Sequence, residues 1–199
     1  MSLELPNNRL EFIISQAWAI LFAKIVLGTQ YINKEASLQL QLAKLMQEIG
    51  TAYCIYPNEF FVVELETGLG RKSIDITCSL GNTTAALELK CFRKQSNRAK
   101  DLDMYDALKD IQRLDNYDEY EEKYFICLAD SSYYAEYRHK GKASSVTTRN
   151  GTRYDANTPI VPAWKGQWNV SRDASITLKK ELICEWTNKN NWYYWFVKR

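Results

Sequence analysis

The spacing of apolar side chains predicts two helices in the first 50 residues. From residue 8 to residue 27 they recur every three or four positions, as they do on the buried face of a helix. A second stripe of this kind runs from Asn33, a suitable N-cap, to Gly50, a suitable end. Two packed helices are therefore expected before the pattern changes.

Residues 12–28 are apolar enough to be considered as a membrane or signal segment. Ser15, Gln16 and Lys24 interrupt the apolar run, and acidic rather than basic residues precede it. A spanning helix needs about 18 predominantly apolar residues in succession, and a signal peptide begins with a positively charged region. We expect a buried helix, whose apolar face is also a candidate dimer surface.

After residue 60 the pattern changes from helical spacing to alternation. Segments 60–67 and 73–80 read as strands, and segment 84–92 reads as a third strand. The last two are joined by Gly81-Asn82, a signal for a two-residue hairpin loop. The three segments predict an antiparallel meander.

A helix and a buried strand are predicted next. Residues 93–103 form a polar, basic connection, residues 104–120 return to helical spacing, and residues 123–130 form a continuous apolar run typical of a central strand. Strand, helix and strand in this order imply a crossover and a parallel pairing. The polar segment 135–173 is expected to be a functional loop or a partly disordered insertion, and segment 176–198 a terminal β-hairpin.

The composition is that of an ordinary globular protein with one domain over residues 1–199. Apolar residues make up 46% and charged residues 25%, and the net charge of +2 does not by itself indicate a polyanionic partner. The five cysteines are odd in number and lie mostly in apolar segments, which indicates free thiols of an intracellular, cytoplasmic protein. With one histidine and no Cys-x-x-Cys pair, a zinc site is not expected.

Three charged residues interrupt the most apolar of the predicted strands. Asp75 lies in the second strand, and Glu88 and Lys90 lie in the third. The hairpin places Asp75 nearly opposite Glu88, and strand alternation places Lys90 on the same face as Glu88. Mg²⁺ binds through one or two carboxylates and completes its shell with water and phosphate oxygens. The pattern therefore predicts a site for Mg²⁺ or Mn²⁺, with a lysine that stabilises developing charge or activates water.

These residues and the order of the elements resemble the PD-(D/E)xK nuclease superfamily. Over about residues 33–130, Asp75 corresponds to the aspartate of the motif, Glu88 to its second acidic residue and Lys90 to its lysine. Ser73-Ile74 stands where the motif has proline before the aspartate. The resemblance implies a restriction-endonuclease-like α/β fold, in which a central mixed β-sheet (an αβββαβ core) is flanked by helices. The first helix and the terminal β-hairpin would be additions to that core.

The resemblance also implies a function. It predicts a metal-dependent DNA endonuclease of the restriction or repair type, with double-stranded DNA as its partner and a homodimer as a candidate assembly. Glu35 matches an acidic residue that many members contribute as an extra catalytic metal ligand, and Glu64 and Glu66 are alternative ligands. Glu35 could equally stabilise the dipole of its helix without a catalytic role. The competing hypotheses are an inactive nucleic-acid-binding or protein-interaction module on the same fold, and a hydrolase directed at RNA.

Basic residues after the third strand are candidates for contact with the DNA backbone, or for a solvated loop. They are Arg93, Lys94, Arg98 and Lys100. Gln112 matches a polar position that some superfamily members use near the site. The insertion carries further basic residues that either wrap DNA or bind nothing, namely Arg138, Lys140, Lys142, Arg149 and Arg153. Trp164, Trp168 and the tryptophans of segment 192–195 are expected to pack in the fold rather than to stack on bases.

Overall fold

The computed structural model describes residues 6–70, 72–96, 98–166 and 172–199. Trp168 lies outside these residues. The helices are α1 (Arg9–Val26), α2 (Glu35–Ala52) and α3 (Lys100–Leu114). The strands are β1 (Phe61–Leu69), β2 (Lys72–Leu80), β3 (Thr83–Phe92), β4 (Glu122–Ala129), β5 (Arg153–Tyr154), β6 (Leu182–Ile183), β7 (Trp186–Lys189) and β8 (Trp192–Lys198). The run from α2 to β4 has the predicted order of one helix, three strands, one helix and one strand.

Six strands form a mixed sheet in the order β1-β2-β3-β4-β8-β7. Four of its pairs are antiparallel, namely β1 with β2, β2 with β3, β4 with β8, and β7 with β8. Strands β5 and β6 form a separate antiparallel pair. The prediction of an α/β fold with a mixed sheet flanked by helices is confirmed at this level.

The chain divides into two compact units, Met1–Leu89 with Glu119–Lys123 and Lys90–Asp118 with Tyr124–Arg199. In the first unit, α1 and α2 pack against each other, and both contact the meander. Its core contains fully buried side chains from both helices and from β2, among them Ile13, Leu21, Leu38, Leu42, Ile74 and Ile76. A single domain over residues 1–199 stays a prediction.

Helix α1 begins where the pattern predicted, because Asn8 caps it. The side-chain oxygen of Asn8 accepts a hydrogen bond from the Glu11 amide at 3.0 Å. The apolar stripe of α1 is buried, and none of the helices in the described part of the chain has the length and apolar character needed to cross a membrane.

Helix α2 begins with Lys34 as its N-cap, so the prediction of Asn33 as the cap was wrong by one residue. The hydroxyl of Ser37 accepts hydrogen bonds from the amides of Asn33 and Lys34, at 3.1 and 3.2 Å. The Ser37 side chain thus satisfies the two amides that precede the helix, and the N-cap residue Lys34 supplies no side-chain hydrogen bond of its own.

The β2–β3 hairpin forms as the sequence predicted. Leu80 pairs with Thr83, which leaves Gly81 and Asn82 as a two-residue loop. Gly81 has a φ of +59°, a conformation that glycine adopts without the steric cost of a Cβ. This loop fixes the register of the two strands that carry Asp75 and Glu88.

In the second unit, two predicted boundaries were wrong. Helix α3 spans Lys100–Leu114, so it includes residues assigned to the basic connection and ends before residues 115–120. The terminal hairpin consists of β7 and β8 only, joined by Asn190 and Asn191, whose φ values of 51° and 63° suit a tight hairpin turn.

The insertion is more ordered than the sequence indicated. Residues 176–184 pair with it instead of forming a hairpin strand, through the bridge Ile160↔Ile176 and the β5–β6 pair. A short 3₁₀ helix, Gly141–Val146, also lies in this segment. All five cysteines of the chain are free thiols, and Cys78, Cys127 and Cys184 are buried.

Candidate active site

Asp75 and Glu88 lie on neighbouring strands of the first unit. The last paired residues between β2 and β3 are Ile76 and Leu87, and the same register sets Asp75 opposite Glu88 one step further on. Asp75 is half-buried, whereas only 1% of Glu88 is exposed. The hairpin therefore places the two carboxylate-bearing residues as the sequence spacing predicted.

The β2–β3 ladder stops at this point, where a side chain replaces a backbone partner. The Oδ2 atom of Asp75 accepts a hydrogen bond from the amide of Leu89 at 2.6 Å. In a continued ladder, that amide would bind a backbone carbonyl of β2. The carboxylate of Asp75 thus lies beside the peptide that joins Glu88 to Leu89.

The other side of Asp75 is held by helix α2. The Nε2 atom of Gln39 donates to the carbonyl of Asp75 at 2.5 Å and to Oε1 of Glu66 at 2.9 Å. The β1–β2 pairing omits Glu66 and Asp75, and Glu66 has a φ of +53°, which is uncommon for a residue other than glycine. The hydroxyl of Ser73 and the amide of Gln39 donate to the Glu66 carboxylate and lower its pKa. Both neighbouring ladders are therefore interrupted at Asp75.

Lys90 follows Glu88 by two residues on β3 and belongs to the second unit. Its Nζ atom forms an ion pair with Oδ2 of Asp110 at 2.6 Å. The other oxygen of Asp110 accepts a hydrogen bond from Arg113 at 2.7 Å. The Lys90 and Asp110 side chains are only 13% and 8% exposed, so helix α3 holds the ammonium group in a fixed place.

In the described part of the chain, this site supplies two carboxylates that could bind a metal, those of Asp75 and Glu88. Glu35 is the first residue of α2 and is half-buried, and Glu64 and Glu66 are exposed. Among the described residues, no three His, Cys, Asp or Glu side chains are grouped so that they could hold a metal ion. The hard oxygens of Asp75 and Glu88 fit the one or two carboxylates that Mg²⁺ takes from a protein. Glu35 as a third ligand stays a prediction.

The basic residues after β3 are largely engaged within the second unit. Arg93 forms an ion pair with Asp130 at 2.9 Å, and Arg98 forms one with Asp103 at 3.1 Å. Lys94 is exposed. The two arginines therefore have structural partners, which reduces the charge they can offer to a phosphate backbone.

Gln112 and Lys100 also have partners inside the second unit. The Gln112 side chain donates to the carbonyl of Thr177 at 3.0 Å and accepts from Lys109 at 2.7 Å. The Nζ atom of Lys100 lies 4.4 Å from the ring centre of Tyr133. The predicted DNA contacts of both residues stay predictions.

Sequence reasoning did not identify Gln39 and Asp110 as parts of this arrangement. Gln39 lies between the buried residues Leu38 and Leu42, and Asp110 lies beside the buried Ile111 in α3. A polar residue within a buried helical stripe is a usable signal, because such a side chain needs a hydrogen-bonding partner. Its partner, however, is supplied by another element and is not visible in the local sequence.

Comparison with known proteins gives no relative for this chain. No protein-family model, no curated protein and no solved structure matches it. Its function must be inferred from the geometry of the site together with the sequence motif.

Proposed function

We propose that the chain is a metal-dependent endonuclease of the PD-(D/E)xK type that hydrolyses phosphodiester bonds of double-stranded DNA. The observation that carries the proposal is the placement of Asp75 opposite the buried Glu88 where the β2–β3 ladder stops. Like charges on facing strand positions repel each other. A divalent cation bound by both carboxylates would offset that repulsion.

The residues around the pair suit phosphodiester hydrolysis. Asp75 and Glu88 would hold Mg²⁺ or Mn²⁺, which when bound polarises the phosphate and lowers the pKa of a bound water. Lys90 shares the face of β3 that carries Glu88 and would stabilise the negative charge that develops on the phosphate. Its ion pair with Asp110 positions the ammonium group against α3.

The proposal is tested by substitutions that preserve shape. Asp75→Asn and Glu88→Gln should each lower Mg²⁺-dependent cleavage of duplex DNA by about a hundredfold or more, because each removes a metal-binding charge. Asn can still accept the hydrogen bond from Leu89. The matched control is Asp155→Asn, whose side chain is 73% exposed, and it should cleave like the wild type. Cleavage that survives both substitutions, in proteins with wild-type melting curves, overturns the proposal.

A module that binds nucleic acid or protein without catalysis is the second candidate. It is favoured by the ion pair of Lys90 with Asp110, because an ammonium group that is paired within the fold has less charge to offer a phosphate. Calorimetric titration with Mn²⁺ separates the two functions. The nuclease should bind the metal at millimolar concentration, and the double variant of Asp75 and Glu88 should not. A wild-type protein that releases no heat supports the module, and cleavage of RNA instead of DNA would reassign the substrate.

A homodimer is the proposed assembly, since cutting both strands of a duplex commonly takes two active sites. The apolar stripe of α1 is buried within the chain, and the large apolar residues left exposed here are Ile20 of α1 and its C-cap Leu27, at 39% and 75%. Sedimentation velocity of the wild type and of Leu27→Ser tests whether this surface takes part.

A further inference from the structure

An exposed pair of aromatic rings follows β4 in the second unit. Tyr133 and Tyr137, here called the tyrosine platform, stack with ring centres 5.2 Å apart and 14° between their planes. Tyr133 is half-buried, whereas 56% of Tyr137 is exposed. The stack therefore presents an aromatic surface to solvent, although exposed aromatic side chains are usually scattered singly.

The tyrosine platform is held in place by buried polar side chains. The Nε2 atom of His139, a residue that is 8% exposed, lies 2.9 Å from the carbonyl of Tyr133. Tyr134, the residue after Tyr133, is buried and donates its hydroxyl to Asp103 at 2.8 Å. Thr148 donates to the Tyr134 carbonyl at 3.0 Å. A surface fixed in this way loses little conformational entropy when a ligand binds.

Exposed basic side chains lie in the same segment of the chain as the tyrosine platform. Arg138, Lys140 and Arg149 are exposed, and none of them forms an ion pair with a residue that the structure describes. Segment 131–149 contains four basic residues and one acidic residue. The charge of Arg149 reaches the aromatic cluster, because it adds to burial, the larger cause, in lowering the pKa of His139. The region therefore combines an aromatic face with three exposed cations, although Asp101 also acts there, since burial and then the charge of Asp101 raise the pKa of Tyr133.

We propose that the tyrosine platform stacks on unpaired bases of a single-stranded nucleic-acid segment, while Arg138, Lys140 and Arg149 contact its phosphates. Stacking on an aromatic ring is available to every base, and basic side chains along the same surface follow the backbone. In a duplex, each base is already stacked on its neighbours, so the platform discriminates in favour of unpaired bases. The inference deepens the proposed function, on which it rests for the choice of nucleic acid as partner, and it assigns a substrate with an unpaired stretch.

The test measures binding in EDTA by the fluorescence anisotropy of three labelled probes. They are a single-stranded oligothymidylate, an abasic oligonucleotide of equal length, and a fully paired hairpin. The oligothymidylate should bind about tenfold more tightly than the abasic probe, as expected for the stacking of one or two bases. Tyr137→Leu should weaken oligothymidylate binding by a similar factor and leave abasic binding unchanged. The control Tyr31→Leu, at a tyrosine that is 72% exposed in the first unit, should bind like the wild type.

The basic residues are tested separately. Arg138→Gln combined with Lys140→Gln should weaken both single-stranded probes and reduce the dependence of their affinity on salt, because fewer counterions are released. Equal affinity of the wild type and Tyr137→Leu for oligothymidylate overturns the inference. So does equal affinity of the wild type for the oligothymidylate and abasic probes, which would indicate a surface for any polyanion.

Failure of the proposed nuclease function and failure of the tyrosine platform give different combinations of results. Asp75→Asn should keep the binding preference and lose cleavage, because the carboxylate pair is not part of the tyrosine platform. If the wild type shows base-dependent binding but no metal-dependent cleavage, the platform stands and the nuclease fails. If cleavage is normal and no probe is bound through Tyr137, the nuclease stands and the platform fails.

Discussion

At Asp75, side chains from two elements take the place of regular strand pairing. Its carbonyl accepts from Gln39 of α2, and its carboxylate accepts from the backbone of β3. Glu66, which faces Asp75 on β1, has a positive φ at the same interruption of the strand pairing. Backbone strain of this kind is concentrated at functional sites, where the surrounding structure holds the residue in place. The position of one carboxylate is thus determined by three elements.

Gln39→Leu should destabilise the protein. The substitution keeps the volume of a side chain that is 7% exposed and removes the only donor group at its end. The carbonyl of Asp75 and the carboxylate of Glu66 each lose a hydrogen bond, so we expect the free energy of unfolding to fall by about 1–3 kcal/mol. Urea denaturation measures the change. Gln41→Leu, at a half-buried position in the same helix, should change it little, and equal effects of the two variants would contradict the prediction.

At the scale of elements, the packing of α2 on β1 depends on a glycine. A Cβ added to the buried Gly50 would lie 2.2 Å from Cγ of Phe61, which is far inside van der Waals contact. Helix α2 therefore contacts β1 at Gly50, where the Phe61 ring fills the space that a side chain at position 50 would occupy.

Gly50→Ala should lower the melting temperature, although alanine is the better helix former. Overpacking costs about 1–3 kcal/mol, and the higher helix propensity of alanine offsets about 1 kcal/mol at most. Phe61→Leu in the Gly50→Ala background should restore part of the loss, because the smaller side chain makes room for the methyl group. Calorimetric melting of the two single variants and the double variant gives their coupling energy, and additive effects would refute the proposed contact.

Elements with strong local signals were predictable from the sequence, and those that depend on distant partners were not. The apolar stripe of α1 and the Gly81-Asn82 loop are local features, and both elements formed as expected. The first turn of α3 is polar, and its buried Asp103 has a hydrogen bond from Tyr134, 31 residues away, as well as an ion pair with Arg98. Ile176 alternates like a strand residue, but its partner is Ile160 of the insertion, which no local pattern indicates.

For the candidate site too, the features that depend on local sequence could be predicted, and those that depend on distant partners could not. A two-residue loop fixes the register, so the facing positions of Asp75 and Glu88 follow from counting. The contacts of Lys90 with Asp110, and of Asp75 with Gln39, depend on how α3 and α2 pack, and sequence spacing does not determine packing. Tyr133 and Tyr137 stack within an irregular segment in which the apolar residues have no regular spacing, so no sequence pattern predicts the contact.

At the scale of the whole molecule, an ion pair between distant segments contributes to the resistance of the first unit to acid. Arg9 donates to both carboxylate oxygens of Glu59, at 2.6 and 2.7 Å. The hydrogen bond from Arg9 is the largest cause that lowers the pKa of Glu59 to about 2. Since the pKa is lower in the folded than in the unfolded protein, the unfolded state takes up its proton first as the pH falls. The contribution is complete above about pH 4.5 and is lost toward pH 2.

Comparison of the wild type with Glu59→Gln tests this dependence. The difference in their free energies of unfolding should be constant at neutral pH and should shrink as the pH falls from about 4.5 to 2, because protonation then makes the wild-type side chain neutral as well. Urea denaturation at a series of pH values measures it. A difference that does not vary over this range would show that Arg9 does not favour the charged form of Glu59.

The division of the chain into units has a consequence for its synthesis. Residues 119–123 belong to the first unit, where Glu121 accepts from the Thr84 amide at 3.3 Å and Glu122 accepts from Asn8 at 2.6 Å. When Leu89 emerges from the exit tunnel of the ribosome, these partners of β3 and of the cap of α1 have not yet emerged. The first unit can therefore be completed only after the whole of α3 has emerged from the exit tunnel. A nascent chain arrested before residue 119 should accordingly be more sensitive to protease in its N-terminal half than one arrested well beyond residue 123.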